Sequence, residues 1–172
     1  MSQPDRIDIT GATEGDLDAV AELARVIWRK HYPGIITPEQ IEYMLERGYA
    51  RAALRRFVTE SGAGLDLARI DDQLAGFSAY HRGDDPDELK LDKLYVHQEF
   101  HRRGVGHRLI EAAAAAAQAQ HRAMLVLNVN KNNAQAISAY VRSGFVVREA
   151  VVVDIGGGFV MDDYIMVRRL ES

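Results

Sequence analysis

One stretch of the chain, residues 91–145, most constrains what the chain can fold into. An alternating apolar segment leads through three basic residues, 101–103, into a turn spaced by Gly104 and Gly106, and a long helical pattern follows. The first N–H groups of a helix have no partner within it and carry the positive end of its dipole. Glycine has no Cβ, so a ligand can approach that backbone closely. The turn therefore predicts a site for a phosphate or pyrophosphate.

Two common nucleotide motifs do not fit this turn. A phosphate-binding loop of the Walker type needs Lys followed by Ser or Thr directly after its second glycine, and His107 and Arg108 stand there. The dinucleotide fingerprint needs a third glycine, and Leu109 occupies that position. The phosphate ligand must therefore be identified from another pattern.

The run at residues 101–106 resembles the acyl-CoA signature of the GNAT (GCN5-related N-acetyltransferase) family, Gln/Arg-x-x-Gly-x-Gly/Ala, with His101 at its first position. A second run, residues 128–145, is similar to the family's later motif. It has an Asn-rich turn, a helix with an Ala-Ile pair and Tyr140, and a Gly-Phe end. The two motifs stand in the family's order and separation. Residues 162–166 also resemble the polyamine-acetylating branch of the family.

Hydrophobic periodicity predicts seven strands and five helices. The expected strands are 6–10, 65–70, 74–81, 90–96, 124–129, 145–154 and 159–168, and the expected helices are 13–30, 37–48, 50–60, 107–121 and 133–142. This order indicates a mixed α/β fold of the α+β type, and 172 residues suit one domain over residues 1–172. The resemblance implies a GNAT domain whose central, mostly antiparallel sheet is flanked by helices. It also implies that the sheet splays between 90–96 and 124–129, with the pantetheine arm in the opening.

Composition excludes several classes of function. A net charge of −4 disfavours nucleic acid as a partner. The absence of cysteine excludes disulfides, Cys-ligated zinc and a Cys nucleophile, and it suits a reducing compartment. No segment is long and apolar enough to cross a bilayer, so we expect a cytoplasmic protein without a membrane partner. The spacing of His97, His101, His107 and His121 does not indicate a metal site.

The resemblance implies acetyl-CoA as co-substrate. The residues expected to bind it are Leu94, Tyr95, Val96, His101, Arg102, Arg103, Gly104, Val105, Gly106, His107, Asn128, Asn133 and Tyr140. Main-chain groups of the 90–96 strand would pair with pantetheine as an added strand does. Two alternatives stay open: the glycine pair is also compatible with an ordinary turn, and Asn133 with the N-cap of the last helix.

Tyr140 and Asp92 are the expected catalytic residues. By resemblance, Tyr140 is the general acid that protonates the departing thiolate, and its alternative is a packing role. Asp92 shares strand parity with Leu94 and Val96, which would place it beside them as a base. A β-bulge would break that parity, and a water chain or a solvated Asp92 are the alternatives.

The acceptor site is expected near the end of the first long helix and in the closing hairpin. Trp28 and Tyr32 lie in the first segment, and Asp162 and Asp163 in the second, where they would attract a cationic amine. The alternative for the acidic pair is a charged strand edge that prevents aggregation.

The predicted activity is direct transfer of an acetyl group from acetyl-CoA to a primary amine of a polyamine, small amine or protein. The alternative functions are a non-catalytic acyl-CoA sensor on the same fold and, against the acidic balance, a nucleic-acid-binding regulator. The identity of the acceptor and the acyl chain preference stay open in the sequence. A homodimer through the closing strands is implied by resemblance alone.

Overall fold

The computed structural model describes residues 4–171, which form seven strands and five α-helices. The strands are β1 (Ile7–Gly11), β2 (Gly64–Ile70), β3 (Gln73–Arg82), β4 (Glu88–Val96), β5 (Met124–Asn130), β6 (Val146–Gly156) and β7 (Phe159–Arg169). The helices are α1 (Leu17–His31), α2 (Pro38–Gly48), α3 (Arg51–Thr59), α4 (Val105–Ala119) and α5 (Ala134–Arg142). Each predicted element is present, with ends within a few residues of the expected ones.

The strands form one sheet in the order β1-β2-β3-β4-β5-β7-β6, and its neighbours are antiparallel except β4 and β5. The β4–β5 ladder is short: Glu88, Leu89 and Lys90 pair with residues 124–126. Beyond these pairs the rest of β4 and β5 diverge, and the sheet opens between them. The expected α/β domain with a mostly antiparallel, splayed sheet is therefore confirmed.

Local capping interactions explain where the helices begin. The Thr37 hydroxyl accepts the N–H of Gln40 at 3.2 Å, ahead of the proline that opens α2. The Thr13 N–H donates to the Asp16 carboxylate at 2.8 Å, but this box caps a short 3-10 turn, Glu14–Asp16, that precedes α1. The helix therefore starts four residues later than the sequence suggests.

Helices cover both faces of the sheet. One face carries Leu65 and Phe77 beneath α1–α3, and the other carries Leu125 beneath α4 and α5. Ala113 and Ala117 of the alanine run are buried, because small side chains let α4 pack closely on the sheet. Docked in this way, α4 begins beside the end of β4, next to the opening.

Candidate active site

The opening between β4 and β5 forms a cleft of about 1430 Å³. Its walls come from β4, the start of α4, β5, α5, the end of α1 and the β6–β7 hairpin. One side presents the glycine turn, and the other presents aromatic and acidic side chains. Within residues 4–171, no helix is long and apolar enough to span a membrane, and no group of three or more His, Asp or Glu side chains is arranged to hold a metal ion.

The glycine turn provides unpaired N–H groups at the cleft. Gly104 precedes α4 with a φ of +84°, and Arg108 is the first residue whose N–H bonds back along the helix, to the Gly104 carbonyl at 3.0 Å. The three N–H groups between them have no acceptor within the helix. A Cβ on Gly104 would meet nothing within 4 Å, and one on Gly106 would lie 3.9 Å from Val96. The backbone therefore fits an approaching pyrophosphate.

The peptide groups of successive β4 residues point alternately toward β3 and toward the opening between β4 and β5. The His97 N–H donates to the Ala75 carbonyl at 2.8 Å, so the peptide groups of Leu94 and Val96 turn away from β3. The Val96 carbonyl accepts the Nε2–H of His101 at 2.8 Å, which fixes His101 at the end of the strand. Leu94 and Val96 thus present main-chain groups to the cleft, as expected for residues that pair with pantetheine.

Two of the expected cofactor residues face elsewhere. The Tyr95 phenol lies 2.9 Å from the Tyr32 phenol, and its alternating main chain turns toward β3, so Tyr95 belongs to the aromatic side of the cleft. The Arg103 guanidinium pairs with Asp5 at 3.6 Å and lies over the Phe100 ring, outside the cleft. Only the backbone of Arg103 therefore belongs to the glycine turn. Arg102, Val105 and His107 line the cleft.

Asn133 and Tyr140 come from α5. Asn133 is buried, and its Oδ1 caps the helix by accepting the Ala136 N–H at 3.4 Å. The same oxygen lies 2.9 Å from His31 Nε2. The Tyr140 ring packs edge-on against Phe145 at 5.6 Å. Burial, and then the nearby phenol of Tyr32, raise the pKa of Tyr140 well above its ordinary value, so the phenol keeps its proton.

A β-bulge in β4 overturns the predicted parity of Asp92. Ala79 pairs with Lys93 and Tyr80 with Leu91, so Asp92 is the extra residue between two pairs. In the sequence, alternation placed Asp92 with Leu94 and Val96, and this was wrong because the bulge shifts the phase of the strand. Asp92 instead lies with its neighbour Lys93 on the face covered by α1–α3.

Asp92 is also held ionised by its neighbours. Its carboxylate lies 3.2 Å from Lys93 Nζ and 3.8 Å from His81 Nε2. Burial opposes the charge, but the nearby His81 imidazole and the charge of Lys93 outweigh it and hold the pKa of Asp92 well below its usual range. A carboxylate with such a low pKa is a weak proton acceptor, although it lines the cleft.

Aromatic side chains form one wall of the acceptor side. The Trp28 indole N–H donates to the Tyr49 hydroxyl at 3.2 Å, and the Trp28 and Tyr32 rings pack at 4.3 Å. Burial raises the pKa of Tyr32 to about 12, so it is neutral near pH 7. Trp28 and Tyr32 line the cleft as the sequence suggested, and the same wall includes Tyr49, which the sequence analysis missed.

The two acidic residues of β7 have opposite environments. Asp163 is 1% exposed, lines the cleft, and has one oxygen, Oδ1, without a hydrogen-bond partner in the described chain. Asp162 points away, where Lys131 pairs with it at 2.7 Å. The expectation for Asp162 was wrong, because successive residues of a strand face opposite sides of the sheet. Asp163 alone contributes a carboxylate to the cleft from this pair.

A polar cluster surrounds Asp163 at the floor of the cleft. Lys90 donates to the Asn128 amide oxygen. Burial raises the pKa of Asp163, whereas the neighbouring Asn128 amide and the charge of Lys90 lower it to a smaller extent. Burial also lowers the pKa of Lys90. The sequence placed Asn128 at the cofactor, and Lys90 was not recognised, because its partners come from other strands.

Comparisons with known proteins agree with this geometry. The acetyltransferase (GNAT) family model matches residues 18–145. An uncharacterized N-acetyltransferase of Mycobacterium tuberculosis is 28% identical over 155 residues, covering 90% of this chain and 98% of the relative. The spermidine N(1)-acetyltransferase of Thermoplasma acidophilum is 28% identical over 170 residues, covering 96% and 99%.

Solved structures show the same architecture. The PaiA N-acetyltransferase of Thermoplasma acidophilum in complex with coenzyme A has a TM-score of 0.80 and 25% identity, over 95% of this chain and 99% of that one. A GCN5-related N-acetyltransferase from Rhodopseudomonas palustris has a TM-score of 0.78 at 23% identity, over 99% and 98%, and supports the fold. With a family match over more than half its length, this chain belongs to the acetyltransferase (GNAT) family and is an N-acetyltransferase that uses acetyl-CoA.

Proposed function

We propose that the acceptor is a polyamine-class molecule, an amine with a second positive charge beyond the nitrogen that is acetylated. The observation that carries this proposal is the buried carboxylate of Asp163 at the floor of the cleft. The spermidine acetyltransferase among the relatives supports the same class. Protein amines and singly charged amines lack the second charge at a fixed distance.

The unpartnered oxygen of Asp163 needs a donor. Leaving a buried acceptor without a hydrogen bond costs about 1–3 kcal/mol, and more for a charged group. Asn128 and Lys90 interact with Asp163, but Oδ1 has no partner within residues 4–171. An ammonium group of the acceptor supplies both a proton donor and a charge. Binding a cationic nitrogen there would offset the desolvation of Asp163 and select multiply charged amines.

The residues around the opening have distinct parts in the transfer. Acetyl-CoA, when bound, supplies an activated acetyl thioester. The N–H groups of the glycine turn hold the pyrophosphate, and the outward-facing main chain of Leu94 and Val96 pairs with the pantetheine arm. The Val96 N–H polarises the acetyl carbonyl as charge develops on its oxygen. Tyr140 keeps its phenolic proton and donates it to the leaving sulfur.

An acceptor panel with thiol release as the readout tests the proposal. We expect diamines and spermidine to be acetylated with a higher kcat/KM than monoamines of the same length. Asp163→Asn should raise KM for the diamines by about tenfold or more, equivalent to about 1.4 kcal/mol, with little change for monoamines. Asp162→Asn is the matched control, because that neighbouring carboxylate lies outside the cleft. Equal losses for both amine classes would contradict the role of Asp163.

A further inference from the structure

His31 connects the acceptor side of the cleft to the helix that carries the catalytic tyrosine. It is the last residue of α1, it lines the cleft, and its ring packs edge-on against Tyr32 at 5.0 Å. Its Nε2 lies 2.9 Å from Oδ1 of Asn133, the residue that caps α5. The contact joins residues 102 positions apart in the chain and crosses the opening of the sheet. None of the sequence motifs includes His31.

The Asn133 cap fixes the tautomer of His31. Because Oδ1 of Asn133 accepts the backbone N–H of Ala136, the orientation of the amide is determined. An amide oxygen can only accept, so His31 Nε2 must donate and carries the hydrogen. In a neutral imidazole the second nitrogen, Nδ1, then has a free lone pair. Within residues 4–171 the hydrogen bonding of the His31 side chain involves Nε2 alone.

We propose that His31 is the general base, with Nδ1 taking the proton that the acceptor ammonium must lose. The N–H bond of the ammonium breaks, and its electron pair stays on nitrogen. This pair forms the new C–N bond to the acetyl carbon, and the C–S bond breaks. The sulfur takes the electron pair of that bond and the proton of Tyr140. The nitrogen of the new C–N bond still carries two hydrogens and a positive charge, and it releases one of these protons to solvent to give the neutral amide. Solvent also removes the proton from His31 and returns one to Tyr140.

Other groups in the cleft suit this task less well. Asp92 is paired with His81 and Lys93, and its pKa is too low for an efficient base. His101 is bonded to the Val96 carbonyl at the end of the strand, on the cofactor side. The inference rests on acetyl transfer to an amine, as in the proposed function, but not on the preference for polyamines.

A pH profile of the variant must account for the other titratable groups on the acceptor side of the cleft. The other charged and titratable groups on the acceptor side of the cleft are Lys30, Tyr32, Tyr49, Lys90, Asp92, Lys93, Tyr95, Tyr140 and Asp163. Burial raises the pKa of the four phenols, and Asp92 is ionised well below neutral pH. The pKa of Asp163 is also raised by burial, so the Asp163→Asn variant is profiled in parallel.

His31→Gln is the informative variant, since a glutamine amide can still donate to Asn133 but offers no basic nitrogen. We expect kcat/KM at pH 7 to fall about 100-fold, within the usual range for a lost general base. The deficit should shrink as the pH rises toward the pKa of the acceptor, where the free amine is supplied by solvent. Affinity for acetyl-CoA, measured by calorimetry, should be unchanged. His121→Gln, at an exposed site beyond α4, is the control.

A second measurement on the unmodified protein does not depend on any variant or on activity. Nitrogen-15 NMR of the imidazole should report the Nε2–H tautomer for His31, and Asn133→Ala should remove this preference. An Nδ1–H tautomer in the wild type would overturn the proposal. So would a loss in His31→Gln that is under threefold or the same at every pH. If the wild type acetylates no amine, the proposed function itself is refuted. If the wild type is active and His31→Gln loses the same fraction of activity at every pH, only the role of His31 as general base is refuted.

Discussion

The two glycines of the turn should respond in opposite directions to the same substitution. Gly104 has a φ of +84°, and alanine in this left-handed region costs about 1–2 kcal/mol of stability. Gly106 is the second residue of α4 and has no positive φ. Alanine there gains about 0.5–1 kcal/mol, because glycine loses more conformational freedom in a helix. The new Cβ would lie 3.9 Å from Val96 Cγ2, an ordinary contact.

Binding of acetyl-CoA should also distinguish the two glycines. Both line the cleft, but the acyl-CoA signature accepts Gly or Ala at the position of Gly106 and only Gly at the position of Gly104. Alanine disfavours the left-handed conformation of Gly104 that orients the helix N–H groups, so we expect Gly104→Ala to bind acetyl-CoA about tenfold or more weakly, which corresponds to about 1.4 kcal/mol. Gly106→Ala would then be more stable than the wild type and bind its co-substrate equally well.

Urea denaturation and calorimetric titration of the same preparations measure both quantities. Gly11→Ala is the matched control, because Gly11 ends β1, has no positive φ, and has nothing within 4 Å of an added Cβ. It should change neither the affinity nor, by more than about 1 kcal/mol, the stability. If Gly104→Ala bound acetyl-CoA as tightly as the wild type, the turn would not be the pyrophosphate site. If Gly106→Ala were less stable than the wild type, the argument from conformational freedom would be wrong.

Two further predictions concern catalysis and the pH dependence of stability. Tyr140→Phe keeps the packing on Phe145, so kcat should fall about 100-fold with no change in acetyl-CoA affinity, and equal losses of both would refute the acid role. Burial raises the pKa of Asp66 from 3.8 to about 6, so the folded state holds a proton that the unfolded chain releases in this window. Stability is therefore lost as pH rises from about 4 to 6. Asp66→Asn should be more stable than the wild type by about 1–2 kcal/mol at pH 8, after allowance for partial exposure, and no more stable at pH 4. Urea denaturation at the two pH values checks this, and a difference that is independent of pH would contradict it.

Local signals were sufficient to predict most of the elements. The Thr37-Pro38 start of α2, the glycine turn before α4 and the Asn133 cap each depend on a few adjacent residues. Their stereochemistry is the same wherever they occur in a chain. The order of elements followed from hydrophobic periodicity, and the splayed sheet followed from the resemblance carried by the two motifs.

The errors and omissions all depend on contacts between distant segments. The bulge at Asp92 is a matter of how β4 pairs with β3, and alternation within one strand does not reveal that register. Asp162 and Asp163 are adjacent acids, and only the side on which β7 packs decides which is buried. The bond from His31 to Asn133 joins two helix ends that periodicity treats separately.

Because the sheet opens between β4 and β5, the main chain of β4 can bind a ligand. In a continuous sheet it would pair with β5 instead. Between Leu91 and Val96, β4 has no ladder partner on the β5 side among residues 4–171, so the peptide groups of Leu94 and the N–H of Val96 remain available. The Val96 carbonyl accepts from His101. The cost is the loss of ladder hydrogen bonds, each worth about 0.5–1.5 kcal/mol in net stability. A bound pantetheine arm replaces those bonds in the manner of an added strand. The same divergence lets Asp163, Lys90 and Asn128 reach the floor of the cleft from three strands. The separation of β4 from β5 therefore creates both the surface that binds acetyl-CoA and the surface that binds the acceptor amine.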